Sequence, residues 1–274
     1  MTTKQRELKI TIKDLLEAGV HFGHQTQRWN PKMKKYIFGE RGGIHILDLA
    51  KTMHQIRTAC DVVEKVIDKN QSILFVGTKK QAKIVIKKCA EDCGEFYVAE
   101  RWLGGMLTNL TTLRQSVKKL ERIEKKIVAG REGITKKELS LMNKEQDKLN
   151  RNLSGIRAMR KPPGLLIIID PVKEHIAVLE ARKLGIPVMS IVDTNCDPDM
   201  IDYVIAGNDD ALKSNQIILQ AITQAIIEKK EALGIPVGVV EEMMDEEEKS
   251  KEDHTKRFPK RREKDEVKVA GGKA

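Results

Sequence analysis

Apolar residues fall along this chain in two alternating patterns. Short, mostly apolar runs occur at 44–48, 73–76, 96–99, 165–169 and 188–192. A run of this length bounded by polar residues suits a strand covered on both faces, as in a parallel sheet. Between the runs, apolar residues recur every three or four positions, which lines one side of a helix. Such helical stretches span 52–69, with Met53, Ile56, Val63 and Val66 or Ile67 inward, and then 79–93, 172–184 and 209–233. Gly185 followed by Pro187 closes the third of these in the usual stop order. Strand and helix in alternation predict an α/β fold, a parallel sheet flanked by helices in three layers of the flavodoxin or Rossmann kind.

The alternation breaks between 101 and 161. Leu110, Leu113, Val117, Leu120, Ile123 and Ile127 form one stripe. Leu139, Met142, Leu149, Leu153 and Ile156 form a second, interrupted by the polar Gln146. Thr135 and Glu138 have the spacing of a capping box, with Ile134 and Leu139 placed as its hydrophobic staple, and Gly130 and Gly133 supply a turn. This predicts an inserted antiparallel coiled-coil hairpin with arms of about 27 Å, at about 1.5 Å per residue. The expected organisation is therefore a basic extension at 1–43 with a short helix at 12–18 closed by Gly19, an α/β domain at 44–100 and 162–237, and the insertion at 101–161. A tail at 238–274 follows, acidic at 241–248 and basic at 256–264. The tail has too few apolar residues to offset the entropy of ordering and is expected to be disordered.

Charge sharpens the picture of the insertion. The 274-residue chain has a formal charge of +10, and 101–161 alone holds 16 Lys and Arg against 6 Asp and Glu. The remaining 213 residues are balanced, with 34 of each sign. The outer faces of the two arms carry Arg114, Lys118, Lys119, Arg122, Lys125, Lys126, Lys136, Lys137, Lys144, Lys148 and Arg151. Solvated helix faces are usually charged, and pairs such as Glu121–Lys125 stabilise a helix locally. An excess confined to one insertion instead points to a polyanion partner, most simply nucleic acid.

Other chemistry is sparse. No apolar run reaches the length of a membrane span, and the N-terminus lacks an apolar signal region, so a cytoplasmic setting is expected, with an organelle matrix as the alternative. The four cysteines include Cys89 and Cys93 on one predicted helix, without a second cluster or a CxxC pair, and read as structural thiols. His21 and His24 read as polar loop or core residues, and no metal or cofactor is expected. The turn Gly77-Thr78-Lys79-Lys80 opens a helix and has an anion-binding position, yet GxxxxGK[ST], GxGxxG and GxSxG are all absent. Asp170, Asp193, Asp197, Asp199, Asp209 and Asp210 gather near strand ends, as metal ligands or, the favoured reading, as caps of the following turns, Asp209 capping the last helix. A nucleotide- or sugar-phosphate-binding enzyme is the rival reading.

A second basic segment, RWNPKMKKY at 28–36, interleaves Arg28, Lys32, Lys34 and Lys35 with Trp29 and Tyr36. Cations pair with phosphate, and aromatic rings stack on bases or pack the loop down. Arg101 and Trp102 repeat the arrangement at the base of the insertion, beside Gly104 and Gly105. At this level of detail the chain resembles the bacterial-type family of small-ribosomal-subunit protein two. The resemblance rests on AGVHFGHQTQRWNPKMKKYIFGERGGIHILDL at 18–49, ILFVGTKKQA at 73–82, RWLGGMLTNL at 101–110 and LGIPVMSIVDTNCDPDMIDYVIAGNDDA at 184–211. It departs from the family at Lys161-Pro162-Pro163-Gly164, where many members carry Leu-Pro-Asp, and in its longer tail. The resemblance implies no catalysis and no cofactor. It implies a structural role, binding small-subunit ribosomal RNA between head and body on the solvent side and docking neighbouring ribosomal proteins, the large first protein of the subunit among them, as a single copy without a membrane. It marks Arg28, Trp29, Asn30, Pro31, Lys32, Arg101, Trp102, Gly104 and Gly105. Of these, Arg28, Trp29, Lys32, Arg101 and Trp102, together with Lys34, Lys35, Arg114, Lys118, Lys119 and Arg122 from the basic segments, are the expected RNA contacts.

Overall fold

A computed structural model describes residues 10–129 and 135–237. Gly130, Gly133, Ile134 and the tail from 238 lie outside the described residues.

The main sheet has five parallel strands in the order β5-β4-β6-β7-β8. They are β4 (Ile73–Val76), β5 (Phe96–Val98), β6 (Leu165–Ile169), β7 (Val188–Val192) and β8 (Tyr203–Ala206). Alternate side chains divide two cores, as the two-residue period of a strand requires. Ile73, Phe75, Leu165, Ile167, Ile169 and Ile191 enter one, shared with α2 (Leu49–Asp68), α3 (Lys80–Cys93) and α7 (Leu212–Ala232). Leu74, Val76, Leu166, Ile168, Val188 and Val192 enter the other, with α6 (His175–Lys183) and the start of the insertion. Each fully buried Leu or Ile here contributes about 1.5–3 kcal/mol by leaving water. The three-layer α/β expectation holds for this sheet. All four cysteines are buried and unbridged.

Two features differ from expectation. The run at 44–48 forms β3 (Ile44–Leu47), but β3 pairs antiparallel with β1 (Phe22–Gln25) and β2 (Ile37–Arg41) in a separate sheet of order β1-β3-β2. It is the centre of a small N-terminal sheet, not the first strand of the parallel one. Its neighbours β1 and β2 are only half covered and carry no apolar run to announce them. Asp209 does not cap α7 either; Ala211 holds the cap position without a side-chain bond. The short helix α1 (Ile12–Glu17) forms as expected and has its own capping box, Thr11 with Asp14.

In the insertion, α4 (Leu110–Val128) and α5 (Lys136–Leu153) pack on each other. The Thr135–Glu138 capping box is present in full. Leu113, Val117, Leu120 and Ile123 of the first stripe are buried. Of the second, Leu153 and Ile156 are buried while Leu139, Met142 and Leu149 stay half-covered, so α4 is the better-seated helix. No described helix is long and apolar enough to cross a membrane.

Candidate nucleic-acid interface

The entry to the insertion is built around one carboxylate. Glu180, on α6 and 8% exposed, accepts hydrogen bonds from five donors of the 101–109 loop. Trp102 Nε1–H donates at 3.1 Å, Gly105 N–H at 2.7 Å, Leu107 N–H at 3.0 Å, Thr108 N–H at 3.1 Å and Thr108 Oγ1–H at 3.0 Å. Burial pushes this carboxyl up, but the backbone donors of Thr108 and Gly105 with the Trp102 indole outweigh it and hold it below its ordinary value. Gly105 sits at φ +90°, where a side chain is strained. The loop so fixed ends at Asn109, whose Oδ1 accepts from Thr112 N–H to cap α4.

From that cap, α4 sets Arg114, Lys118 and Arg122 outward at four-residue intervals, a row with steps of roughly 6 Å. All three are exposed and make no ion pair among the described residues. Lys119 is exposed too, but its ammonium pairs with Glu145 of α5. Glu124 takes Arg157 in a two-pronged pair, at 3.2 and 2.6 Å. Glu138 is used in its capping box. Three acids of the insertion are thus engaged internally, which leaves much of the basic charge on the outer faces.

The 28–36 segment lies on the same side of the main sheet. Met33, 0% exposed, enters the core that also holds Trp102. Asn30 N–H donates to Thr194 O at 2.8 Å, and Asn30 Oδ1 accepts from Lys32 N–H. Arg28, Lys34 and Lys35 are exposed, and the Lys35 ammonium lies 4.9 Å from the Tyr36 ring centre. Trp29 is half-buried against His45, with ring centres 5.0 Å apart. Lys32 is committed internally, 2.8 Å from Asp197 and 2.7 Å from Asp199.

The structure therefore sorts the expected RNA residues. Arg28, Lys34, Lys35, Arg101, Arg114, Lys118 and Arg122 face solvent. Lys32 and Lys119 face solvent within ion pairs. Of the two roles open to the aromatic rings, Trp102 takes packing, because it is 7% exposed and its indole N–H donates to Glu180. Its part is to hold the loop. Glu180 itself carries no sequence signal; in VLEARK it reads as one more helix-surface glutamate.

The rival enzyme reading is tested at the carboxyl ends of the strands. The sheet reverses its winding between β4 and β6, where α/β enzymes of this layout bind ligands. Here Thr78 N–H and Oγ1–H both donate to Glu174, and Lys79 lies among Asp170, Asp209 and Asp210. Burial, then Asp170 and Asp193, push the Asp209 carboxyl up to about 7 against the pull of Lys79. Asp193 raises the pKa of His24 despite its burial. Glu174, Asp170, Asp209 and Asp210 thus hold the Thr78 and Lys79 donors that a phosphate would need. The class so defined is an α/β protein that carries its net charge in the stretch of α4 and α5, between β5 and β6.

Comparison with known proteins gives the same class a family. The family model for ribosomal protein S2 matches residues 15–229. The small ribosomal subunit protein uS2 of Protochlamydia amoebophila (strain UWE25) is 64% identical over 247 residues, covering 90% of this chain and 91% of that protein. The uS2 of Chlamydia pneumoniae is 57% identical over 234 residues, 85% of this chain and 84% of that protein. That of Chlamydia trachomatis serovar D is 55% identical over 228 residues, 83% and 81%. The chain belongs to the ribosomal protein S2 family, structural and non-enzymatic proteins of the small ribosomal subunit.

Proposed function

We propose that the chain binds small-subunit ribosomal RNA through the outer faces of α4 and α5 and through the 28–36 segment. On this reading it acts as a single copy at the junction of head and body on the solvent side, in the bacterial cytoplasm. The observation that carries the proposal is the confinement of the whole +10 charge to residues 101–161, where the row Arg114, Lys118 and Arg122 is exposed. Long helices present cations to backbone phosphates better than they read base edges, so phosphate and shape contacts dominate. In this proposal α4 and α5 act as an antiparallel arm inserted in the α/β domain, seated by the Glu180 cluster. Neighbouring ribosomal proteins, the large first protein of the subunit among them, dock against the remaining surface. Apolar side chains exposed there, Ile176 at 44% and Leu179 at 54% on α6, suit that role.

The test is binding of a small-subunit RNA fragment as salt is raised from about 50 to 200 mM. Replacing Arg114, Lys118 and Arg122 together with Ala weakens binding and lowers the slope of log K against log salt by about 2–3. An unchanged slope removes this face as the RNA handle.

A further inference from the structure

α3 carries a local charge imbalance that the balanced total outside 101–161 conceals. Residues 79–90 include five lysines and no acid; the first carboxylates, Glu91 and Asp92, come in the last turn of the helix. Acids elsewhere complete the total, and some of them, Asp193 and Asp209 among them, are enclosed and cannot answer these lysines. The five divide by partner. Lys79 is spent on Asp170, Asp209 and Asp210. Lys83 Nζ lies 2.7 Å from Glu100 Oε2. Lys87 is exposed and stands 3.7 Å from Glu91 Oε1, a loose surface pair of little worth. Lys80 and Lys88 are exposed and make no ion pair among the described residues. Ile84 stands between them, 70% exposed. Lys80, Ile84 and Lys88 recur at four-residue intervals, so they form one row about 12 Å long at about 1.5 Å per residue. The row borders the entry to the insertion, because Glu100, held by Lys83, directly precedes the exposed Arg101. α3 packs on one face of the parallel sheet and the start of α4 on the other, and β5 is the edge strand between them. Two basic rows therefore flank one edge of the sheet, with Arg101 at its carboxyl end.

We propose that Lys80, Lys87 and Lys88, grouped around Ile84, form a second contact to the sugar-phosphate backbone of small-subunit RNA, so that the RNA meets the protein on both sides of β5. The inference rests on RNA binding by α4 and adds the α3 face to it. Charge complementarity selects the occupant. No acid interrupts 79–90, so the face lacks the mixed signs that match a typical protein surface and suits a continuous line of negative charge. Lysines on a helix, without an aromatic ring among them, hold phosphates and carry no base readout. Ile84 lies against a ribose between two such phosphates, where its side chain leaves water.

The experiment measures binding of full-length small-subunit ribosomal RNA to the full chain as salt is raised from about 50 to 200 mM. Lys80→Ala with Lys88→Ala lowers the slope of log K against log salt by about 1–2. The Tm stays at the wild-type value, since both side chains are exposed and alanine favours a helix. Lys65→Ala with Lys69→Ala removes the same charge from the exposed end of α2 and leaves the slope as in wild type. Ile84→Ser weakens binding at least ~3-fold without changing the slope. The proposal is overturned by a wild-type slope in the Lys80 and Lys88 variant, which would leave this face to a protein or to solvent. It is also overturned by an equal fall in the Lys65 and Lys69 variant, which would reduce the effect to net charge, or by wild-type affinity in Ile84→Ser. A wild-type slope in the α3 variant beside a lowered one for Arg114, Lys118 and Arg122 changed to Ala overturns this inference alone. Wild-type slopes in both overturn the RNA reading of α4 as well.

Discussion

The inserted helices and the strand-end pocket each hold an excess of charge, of opposite sign, and the molecule treats them differently. On α4 the row Arg114, Lys118 and Arg122 stands in water with no ion pair among the described residues, so its charge costs little and stays available. In the pocket, Asp170, Asp209 and Asp210 converge on Lys79, and Asp193 on His24. That charge is enclosed and largely consumed within the protein. In an α/β enzyme the same strand ends would be the ligand site. Here they form an internal junction of carboxylates with Lys79 and His24.

The largest break in this comparison is expected at Glu180, which holds the loop that leads into α4. Glu180→Ala strands the Trp102 indole and three backbone N–H groups in a buried loop. The expected loss is about 3–5 kcal/mol in urea unfolding, with weaker RNA binding because α4 loses its seat. A variant as stable as wild type would show that the loop is held by packing alone.

Next comes Gly155→Ala. Its new Cβ would lie 2.3 Å from the Tyr97 carbonyl oxygen and 2.6 Å from the Tyr97 ring, where α5 returns toward β5. Overpacking against backbone costs about 1–3 kcal/mol, read as a lowered urea midpoint. A neutral substitution would mean that the return segment moves freely against the sheet.

pH separates the regions more finely. The folded pKa of Glu180 lies below its ordinary 4.5, so its contribution is fully present above that value and is lost as pH falls through the folded pKa. Thermal melts across acidic pH should show wild type losing stability below about pH 4.5 more steeply than Glu180→Gln. Parallel curves would place the acid sensitivity elsewhere. The smallest effect on folding is expected from Lys118→Ala, within about 0.5 kcal/mol, while RNA affinity falls measurably. A stability change larger than that would make the lysine a structural residue.

Legibility in the sequence followed the range of the forces involved. Strands at 73–76, 165–169 and 188–192 could be read to the residue, because unbroken apolar runs such as Leu165 to Ile169 are buried on both faces. The Thr135–Glu138 box was equally plain, since both partners lie within one turn. Tyr203–Ala206 was not foreseen as a strand; it is short, half-covered at its first two residues and follows a polar turn. The charge of the insertion was visible, but not which of its groups are spent: Lys119 on Glu145, Arg157 on Glu124, Trp102 on Glu180. The pocket was visible only as scattered acids. His24 meets Asp193 and Asp210 across most of the chain, and spacing carries no trace of such a meeting.

The central claim is that the outer face of α4 ties this protein to the small subunit. The most direct measurement is gradient sedimentation from cells that express a tagged chain, wild type or with Arg114, Lys118 and Arg122 changed to Ala, in competition with the untagged chain. Wild type is expected to migrate stoichiometrically with small subunits, and the variant to remain near the top of the gradient as folded free protein. Equal occupancy of small subunits by the variant would contradict it.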